Sequence, residues 1–117
     1  MWQGINRRRF PRADYPCRVI IYKKEYQEEF DTHTKNIGTG GICVILNKDL
    51  KGSSEVELVL HLKDGQPPVK CHGRIVWAVE KGESRFDTGI AFSDLKDIYR
   101  LRIAKIVDEW LRRDKSQ

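Results

Sequence analysis

Apolar residues recur in short runs along most of the chain, and polar segments that contain turn residues separate these runs. Runs rich in β-branched and aromatic residues predict strands. The segment KGES (81–84) is polar and contains a glycine, which predicts an antiparallel hairpin between the strands on either side of it. Strands with turn signals between them favour a closed barrel or a sandwich. We predict five strands from this pattern: CRVIIY (17–22), ICVILN (42–47), ELVLHL (57–62), VKCHGRIVWAVE (69–80) and RFDTGIAF (85–92).

The periodicity of the apolar residues changes after the last of these strands. Apolar residues then recur at steps of three and four, which predicts an amphipathic C-terminal helix at about residues 94–113. Ser93 or Asp94 is suited to cap the start of this helix. The predicted apolar stripe consists of Ile98, Tyr99, Leu101, Ile103, Ile106, Val107, Trp110 and Leu111.

The size and composition of the chain fit one globular domain. The chain has 117 residues, of which 39% are hydrophobic and 33% are charged. It contains no run of the ~20 apolar residues that span a bilayer, and its start has no apolar segment typical of a secretory signal. We therefore expect a cytoplasmic protein without membrane insertion. Cys17, Cys43 and Cys71 form no C-x-x-C pair, so we expect reduced, buried thiols and no metal site.

The chain is basic, with a formal net charge of +5, and this charge favours an anionic partner. Much of it lies near the N-terminus, where NRRRFPR (6–12) carries four arginines in seven positions. Pro11 and Pro16 favour an extended backbone there. We therefore expect residues 1–15 to be a flexible basic arm and residues 16–113 to form the folded domain.

Two local motifs carry candidate binding chemistry, RRRFPR (7–12) and NIGTGG (36–41). Guanidinium groups offer paired donors to phosphates and to the acceptor edge of guanine. Glycines allow a close backbone approach to a ligand, and Asn36 offers both a donor and an acceptor. Taken separately, the first motif is also typical of a solvated tail, and the second of a simple hairpin turn.

In this order, on a chain of short strands, the two motifs resemble the PilZ domain family. The pattern of that family is R-x-x-x-R before the first strand, followed farther along the chain by D/N-x-S-x-x-G. GRIVW (73–77) and FDTGIAF (86–92) are similar to later strands of the family. The resemblance covers nearly the whole chain. It implies a mainly β fold, a six-stranded antiparallel β-barrel of the split-barrel type with a C-terminal α-helix.

The resemblance also implies a function, which is to bind the bacterial second messenger cyclic di-GMP, without catalysis and without another cofactor. Arg8 and Arg12 would bind the guanines and phosphates of this ligand, and Arg9 would lie beside them. Asn36 would meet a guanine edge, and Gly41 would hold the turn. We expect the arm to close over the barrel when the ligand binds, and the changed surface to signal to an unidentified effector protein.

Two further residues belong to this predicted site. Trp77 lies in the longest predicted strand and could stack on a base or a ribose, although packing within the fold is an alternative role. Gly38 occupies the position where the family has serine, so a hydroxyl group is missing. One neutral hydrogen bond contributes roughly 0.5–1.5 kcal/mol, and we expect this loss to weaken binding rather than abolish it.

The sequence also allows two alternative functions. Gly38 motivates the first, an interaction adaptor with the same fold that no longer binds cyclic di-GMP. The second is a small basic barrel that binds single-stranded nucleic acid through exposed aromatic residues. We expect cyclic di-GMP and a protein, rather than nucleic acid, to be the natural partners.

Overall fold

The computed structural model describes residues 11–23, 27–50 and 55–115. Within these residues, seven strands and one helix follow one another along the chain. The strands are β1 (Arg12–Ala13), β2 (Arg18–Lys23), β3 (Glu28–Gly38), β4 (Gly41–Leu46), β5 (Glu55–His61), β6 (Val69–Gly82) and β7 (Arg85–Phe92), and the helix is α1 (Asp97–Lys115).

Six of the strands in the described residues close into an antiparallel barrel. Their hydrogen-bonded order is β3, β2, β5, β6, β7, β4, and β4 pairs again with β3 to complete the ring. The short β1 pairs with β3 outside the ring, where Arg12 lies opposite Gly38. The predicted six-stranded antiparallel barrel with a C-terminal helix is therefore confirmed, and so is the hairpin of β6 and β7.

One of the six barrel strands, β3, lies in a polar segment where the apolar pattern predicted no strand. Its inward positions include Phe30, Thr32 and Thr34, because Phe30 pairs with the buried Ile21 and Thr32 with the buried Val19. Threonine has a high strand propensity but a polar side chain. Since charged and polar residues also fill the outward positions, the apolar alternation that marks other strands is absent from β3.

The interior of the barrel is filled by aliphatic side chains from alternate positions of the strands, as the period of two in a strand requires. These positions are the inward ones, and nearly all of them are closed to solvent. The barrel core contains Val19, Ile21, Ile37, Ile42, Val44, Leu46, Val56, Leu58, Leu60, Val69, Ile75 and Ile90.

Helix α1 begins later than the sequence predicted, at Asp97 rather than at a cap formed by Ser93 or Asp94. The carboxylate of Asp94 is used elsewhere, because it accepts a hydrogen bond of 2.6 Å from the backbone N–H of His72. Its second oxygen lies 2.7 Å from Nδ1 of the same histidine. These contacts join the segment before the helix to β6. The carboxylate of Asp94 therefore does not cap the helix.

The helix packs against β1 and β3 with a narrower apolar face than the sequence predicted. Ile103, Ile106 and Val107 are buried in the core. The assignment of Ile98 and Leu101 to the buried stripe was wrong, since 65% of Ile98 and 70% of Leu101 are exposed. Within the described part of the chain, no helix is both long enough and apolar enough to be a membrane span.

The segment that leads into the barrel packs against the helix and the core. Ala13 is buried, and the hydroxyl of Tyr15 donates a hydrogen bond to the backbone carbonyl of Leu62. The ring of Tyr15 meets the ring of Trp110 edge to face, with 5.2 Å between the centroids. Residues 12–15 lie within the predicted flexible arm, but these pairing and packing contacts join them to the folded body.

The three cysteines are free and buried, as the sequence predicted. Burial raises the pKa of the thiols of Cys17 and Cys43, and it raises the pKa of Cys71 to about 12. All three are therefore neutral thiols at physiological pH.

A bidentate ion pair joins α1 to the connection between β5 and β6. Arg102 donates from Nε to Asp64 Oδ2 over 3.0 Å and from Nη2 to Asp64 Oδ1 over 2.9 Å. Both side chains are only about one-fifth exposed. The hydrogen bonds from Arg102 lower the pKa of Asp64 below its ordinary value, so the pair stabilises the fold when Asp64 is ionised.

We predict that Asp64→Asn lowers the free energy of unfolding by about 1–2 kcal/mol near neutral pH. Because the folded pKa is lowered, this contribution is complete above about pH 4 and is lost as the pH falls through the folded value. Urea unfolding at several pH values measures the difference from the unsubstituted chain. Asp108→Asn is the control, because it breaks an exposed pair with Arg112 that contributes about 0.5 kcal/mol or less. A difference for Asp64→Asn that persists in strong acid would contradict the account.

Candidate functional site

A groove with a volume of about 620 Å³ lies on the outer face of the barrel, across β3, β4, β7 and β6 and beside β1. The outward-facing positions of β4 and β7 form its floor. The side chains that carry its chemistry are Arg12, Lys35, Asn36, Cys43, Trp77 and Asp87.

A β-bulge in β3 turns Asn36 toward the groove. Thr34 pairs with Val44 and Asn36 pairs with Cys43, so Lys35 is an extra residue in β3. In a regular strand, Asn36 would share the inward face of Thr34. The bulge shifts this alternation by one residue, and as a result both Lys35 and Asn36 line the groove.

The hydroxyl and backbone of Thr34 fix the start of this bulge. Thr34 donates its backbone N–H to the carbonyl of Cys17 over 2.9 Å. Its hydroxyl accepts a 2.9 Å hydrogen bond from the N–H of Cys17 and donates one of 2.6 Å to the carbonyl of Tyr15. Since Thr34 is buried, these bonds hold the bulge against the segment before β2.

A second bulge, in β6, turns Trp77 toward the same groove. Ile75 pairs with Ile90 inside the barrel, but Trp77 pairs with Gly89, so Val76 is the extra residue. Without the bulge, Trp77 would follow Ile75 into the core. The bulge places it on the outer face with 45% of its surface exposed.

Two glycines keep the groove open. The indole of Trp77 lies over Gly89 so closely that a Cβ at this position would overlap the ring. A Cβ at Gly41 would overlap the backbone carbonyl of Ile90, so glycine lets β4 approach β7 there. The two positions therefore accept only a residue without a side chain in the observed arrangement.

A hydrogen bond joins the two sequence motifs. Arg12 Nε donates to Asn36 Oδ1 over 2.8 Å, across the pairing of β1 with β3. Gly38 makes this pairing possible, because a Cβ there would lie 2.8 Å from the carbonyl oxygen of Pro11. Gly38 thus lies beneath β1 and positions Arg12.

An ion pair crosses the groove from β3 to β7. Lys35 Nζ lies 2.7 Å from Asp87 Oδ2, and the side chain of Asp87 is only 4% exposed. The other oxygen of this carboxylate, Oδ1, is buried and has no hydrogen-bond partner among the described residues. The hydrogen bond with Asp87 raises the pKa of Lys35.

The charges that line the described groove balance one another. Arg12 and Lys35 supply two cations, and Asp14 and Asp87 supply two carboxylates. Burial, together with the negative charge of Asp87, raises the pKa of Cys43, so its thiol adds no charge. A dianionic ligand would therefore need further cations for charge compensation.

The turn between β3 and β4 contacts the start of the helix. Arg100 donates from Nη1 to the backbone carbonyl of Thr39 over 2.8 Å, and Nη2 lies 3.5 Å from the carbonyl of Leu95. The NIGTGG motif is therefore less of a loop than the sequence indicated: it ends β3, turns at residues 39–40 and begins β4.

The structure brings together most of the predicted site residues that it describes. Arg12, Asn36, Gly41 and Trp77 all line the groove, whereas Gly38 lies behind it. Arg8 and Arg9 fall outside the described residues.

Sequence reasoning missed Lys35, Asp87 and Arg100 at this site. A signal for Asp87 was present, because the alternation in RFDTGIAF places Asp87 on the same face as Gly89. The positions of Lys35 and Arg100 depend on the bulge in β3 and on helix packing, which no local pattern in the sequence indicates.

Among protein-family models, the model for the PilZ domain matches residues 6–109 of the chain. A comparison with curated protein sequences finds no match.

Solved structures with the same fold include three proteins of low sequence identity. The PilZ domain of YcgR from Escherichia coli with c-di-GMP has a TM-score of 0.72 at 13% identity, and the match covers 94% of this chain and 95% of that one. The Bacillus subtilis inhibitor of motility (MotI/DgrA) gives 0.77 at 17% identity, with 94% and 52% covered. The K. pneumonia MrkH–c-di-GMP complex gives 0.71 at 21% identity, with 94% and 55% covered. The chain thus spans about half the length of the latter two proteins.

We predict that Gly89→Ala displaces the indole of Trp77 from β7, because the new methyl group would occupy the position of the ring. The indole N–H resonance should move, while the free energy of unfolding falls by about 1 kcal/mol or less because the ring is already half exposed. NMR measures the resonance, and Trp77→Phe assigns it. Gly82→Ala is the control, since no described atom lies within 4 Å of a Cβ at Gly82. An unmoved indole resonance in Gly89→Ala would show that the ring does not rest on Gly89.

We predict that Gly38→Ser lowers the free energy of unfolding by about 1–3 kcal/mol, because its Cβ forces β1 away from β3. The added hydroxyl would therefore disturb Arg12 instead of restoring a family contact. Urea unfolding measures this loss. Gly40→Ser, in the adjacent turn, should change the free energy by about 0.5 kcal/mol or less, since a Cβ there meets no described atom within 4 Å. Equal stability of the two variants would mean that β1 does not depend on Gly38.

Proposed function

The chain belongs to the PilZ domain family, and from this membership we propose that it is a receptor for cyclic di-GMP and not an enzyme. Structures of two proteins with the same fold, YcgR and MrkH, contain this ligand. The observation that carries the proposal is the 2.8 Å hydrogen bond from Arg12 to Asn36, because it unites the two motifs of the family in one groove.

The groove offers the contacts that a guanine nucleotide requires. Its volume of about 620 Å³ falls within the range of roughly 300–1,000 Å³ that is typical of small-molecule sites. The exposed ring of Trp77 provides a surface on which a base can stack. Arg12 provides paired donors for a phosphate or for the acceptor edge of guanine, and Gly41 keeps the floor low beside them.

The balanced charge of the groove indicates why the N-terminal arm would matter. Two phosphates bring two negative charges, and the two cations of the groove are already balanced by the carboxylates of Asp14 and Asp87. We propose that Arg8 and Arg9, which lie shortly before β1 in the sequence, supply the missing positive charge when the arm closes over the ligand. The cost of ordering the arm would then be part of the binding free energy.

A route for output leads from the groove to the helix. Arg100 binds the carbonyl of Thr39 in the turn of the second motif, so a shift of that turn would act on the start of α1. Ile98 and Leu101 are exposed on the same part of the helix. We propose that an effector protein, which remains unidentified, reads the ligand-induced change there, in the cytoplasm.

One observation favours a second candidate function, an adaptor that binds its protein partner without cyclic di-GMP. Gly38 provides no hydroxyl for a ligand, and β1 covers its position. The adaptor predicts no heat of binding with cyclic di-GMP, together with a specific protein partner whose capture is unaffected by added nucleotide.

We predict that isothermal titration calorimetry detects saturable binding of cyclic di-GMP to the intact chain. Arg12→Ala should weaken this binding by about tenfold or more, since hydrogen bonds to charged groups contribute roughly 1.5–3 kcal/mol. Arg8→Ala should act in the same direction. Arg18→Ala is the matched control: it removes the same charge from an exposed pair with Asp31, neither residue of which lines the groove, and should change the affinity by less than about threefold.

Two results would contradict the receptor assignment. One is the absence of binding to the unsubstituted chain. The other is an equal affinity of the Arg8→Ala, Arg12→Ala and Arg18→Ala variants, because binding would then reflect overall charge and not the groove.

A further inference from the structure

We propose that Asp87 accepts hydrogen bonds from the donor edge of a guanine base and thereby makes the groove selective for guanine. This inference rests on the proposed function, since it concerns the same ligand and the same groove. It assigns a role to a residue outside both sequence motifs.

The environment of the Asp87 carboxylate leaves one of its oxygens without a donor among the described residues. Asp87 faces outward from β7 into the groove, but only 4% of its side chain is exposed to solvent. Oδ2 is paired with Lys35 over 2.7 Å, but Oδ1 is without a hydrogen-bond partner in the described structure. A buried acceptor without a partner is costly and rare in folded proteins. In a ligand groove, the ligand is a natural source of the missing donors.

The other side-chain acceptors of the described groove are already engaged in hydrogen bonds or open to solvent. The side-chain oxygen of Asn36 accepts a hydrogen bond from Arg12. Asp14 is exposed, so water can satisfy its carboxylate. Among the described side chains of the groove, Asp87 therefore carries the buried acceptor that is available for a ligand.

The donor edge of guanine is chemically complementary to a carboxylate. The Watson–Crick edge of guanine carries two neighbouring donors, the N1–H and the 2-amino group, and an ionised carboxylate only accepts hydrogen bonds. Adenine offers an acceptor nitrogen at N1, which a carboxylate repels. Hypoxanthine retains the N1–H but lacks the 2-amino group. A carboxylate can therefore distinguish guanine from both of these bases.

The geometry of β7 brings this carboxylate near a stacked base. The indole of Trp77 lies over Gly89, and Asp87 lies two residues along the same strand on the same face. Two strand residues span about 7 Å, so a purine stacked on Trp77 would extend its edge toward Asp87.

Lys35 would move from one anion to another when the ligand enters. Its side chain is 47% exposed, and its ammonium group has three donors on a flexible stem. A phosphate of the ligand can therefore attract the ammonium group, while the guanine edge takes its place at Asp87. Each charge of the pair keeps a partner in this exchange.

The test compares two cyclic dinucleotides, cyclic di-GMP and its inosine analogue cyclic di-IMP, by calorimetry on the intact chain. The unsubstituted chain should bind cyclic di-GMP about ten- to a hundredfold more tightly, since the analogue lacks a donor to a charged acceptor. Asp87→Asn should reduce this preference to about threefold or less. The affinity ratio is the measured quantity, because loss of a negative charge strengthens the binding of both dianions alike.

Asp31→Asn is the matched control, since it makes the same chemical change in an exposed pair with Arg18 and should keep the full preference. Equal affinities of the unsubstituted chain for the two dinucleotides would overturn the inference, whatever the stability of the Asp87 variant. A full preference in a folded Asp87→Asn variant would also overturn it. In both cases the receptor function stands, whereas a failure of the unsubstituted chain to bind cyclic di-GMP would overturn the function and the inference together.

Discussion

Two β-bulges determine what the outer face of this barrel can do. A regular β3 would point Asn36 into the core, and a regular β6 would do the same with Trp77. Each bulge inserts one residue and reverses the side of the next one. An amide and an aromatic ring thereby reach the same groove, above a floor kept low by Gly41 and Gly89. The aliphatic core beneath remains closed, so the site is built on a rigid support.

The groove joins elements that are distant in the sequence and have different roles. β1 places Arg12 within hydrogen-bond distance of Asn36. The pairing of β1 with β3 is possible because Gly38 has no side chain. β7 contributes a carboxylate of which one oxygen has no hydrogen-bond partner among the described residues, and α1 contacts the turn of the second motif through Arg100. A ligand would thus act on a site whose described charges are already balanced and whose turn already contacts the helix.

Much of the fold could be predicted from the sequence, because five strands and the helix carry clear apolar periodicity. The apolar pattern did not predict β3, since threonines fill two of its inward positions, Thr32 and Thr34. Asn36 and Trp77 were identified through a family resemblance, but their convergence depends on bulges, which are features of strand pairing and leave no local signal. Asp87 was overlooked because its burial and its pairing with Lys35 of β3 arise from contacts between residues far apart in the sequence.

The central claim is that cyclic di-GMP binds in the groove of β3, β4, β6 and β7. A titration of the isotope-labelled chain, followed by amide resonances in NMR, tests this claim most directly. The account predicts that the largest shifts fall at residues 36–43, 76–77 and 87–91, with smaller ones at the start of α1. Shifts confined to β2 and β5, on another side of the barrel, with the groove amides unmoved, would contradict it.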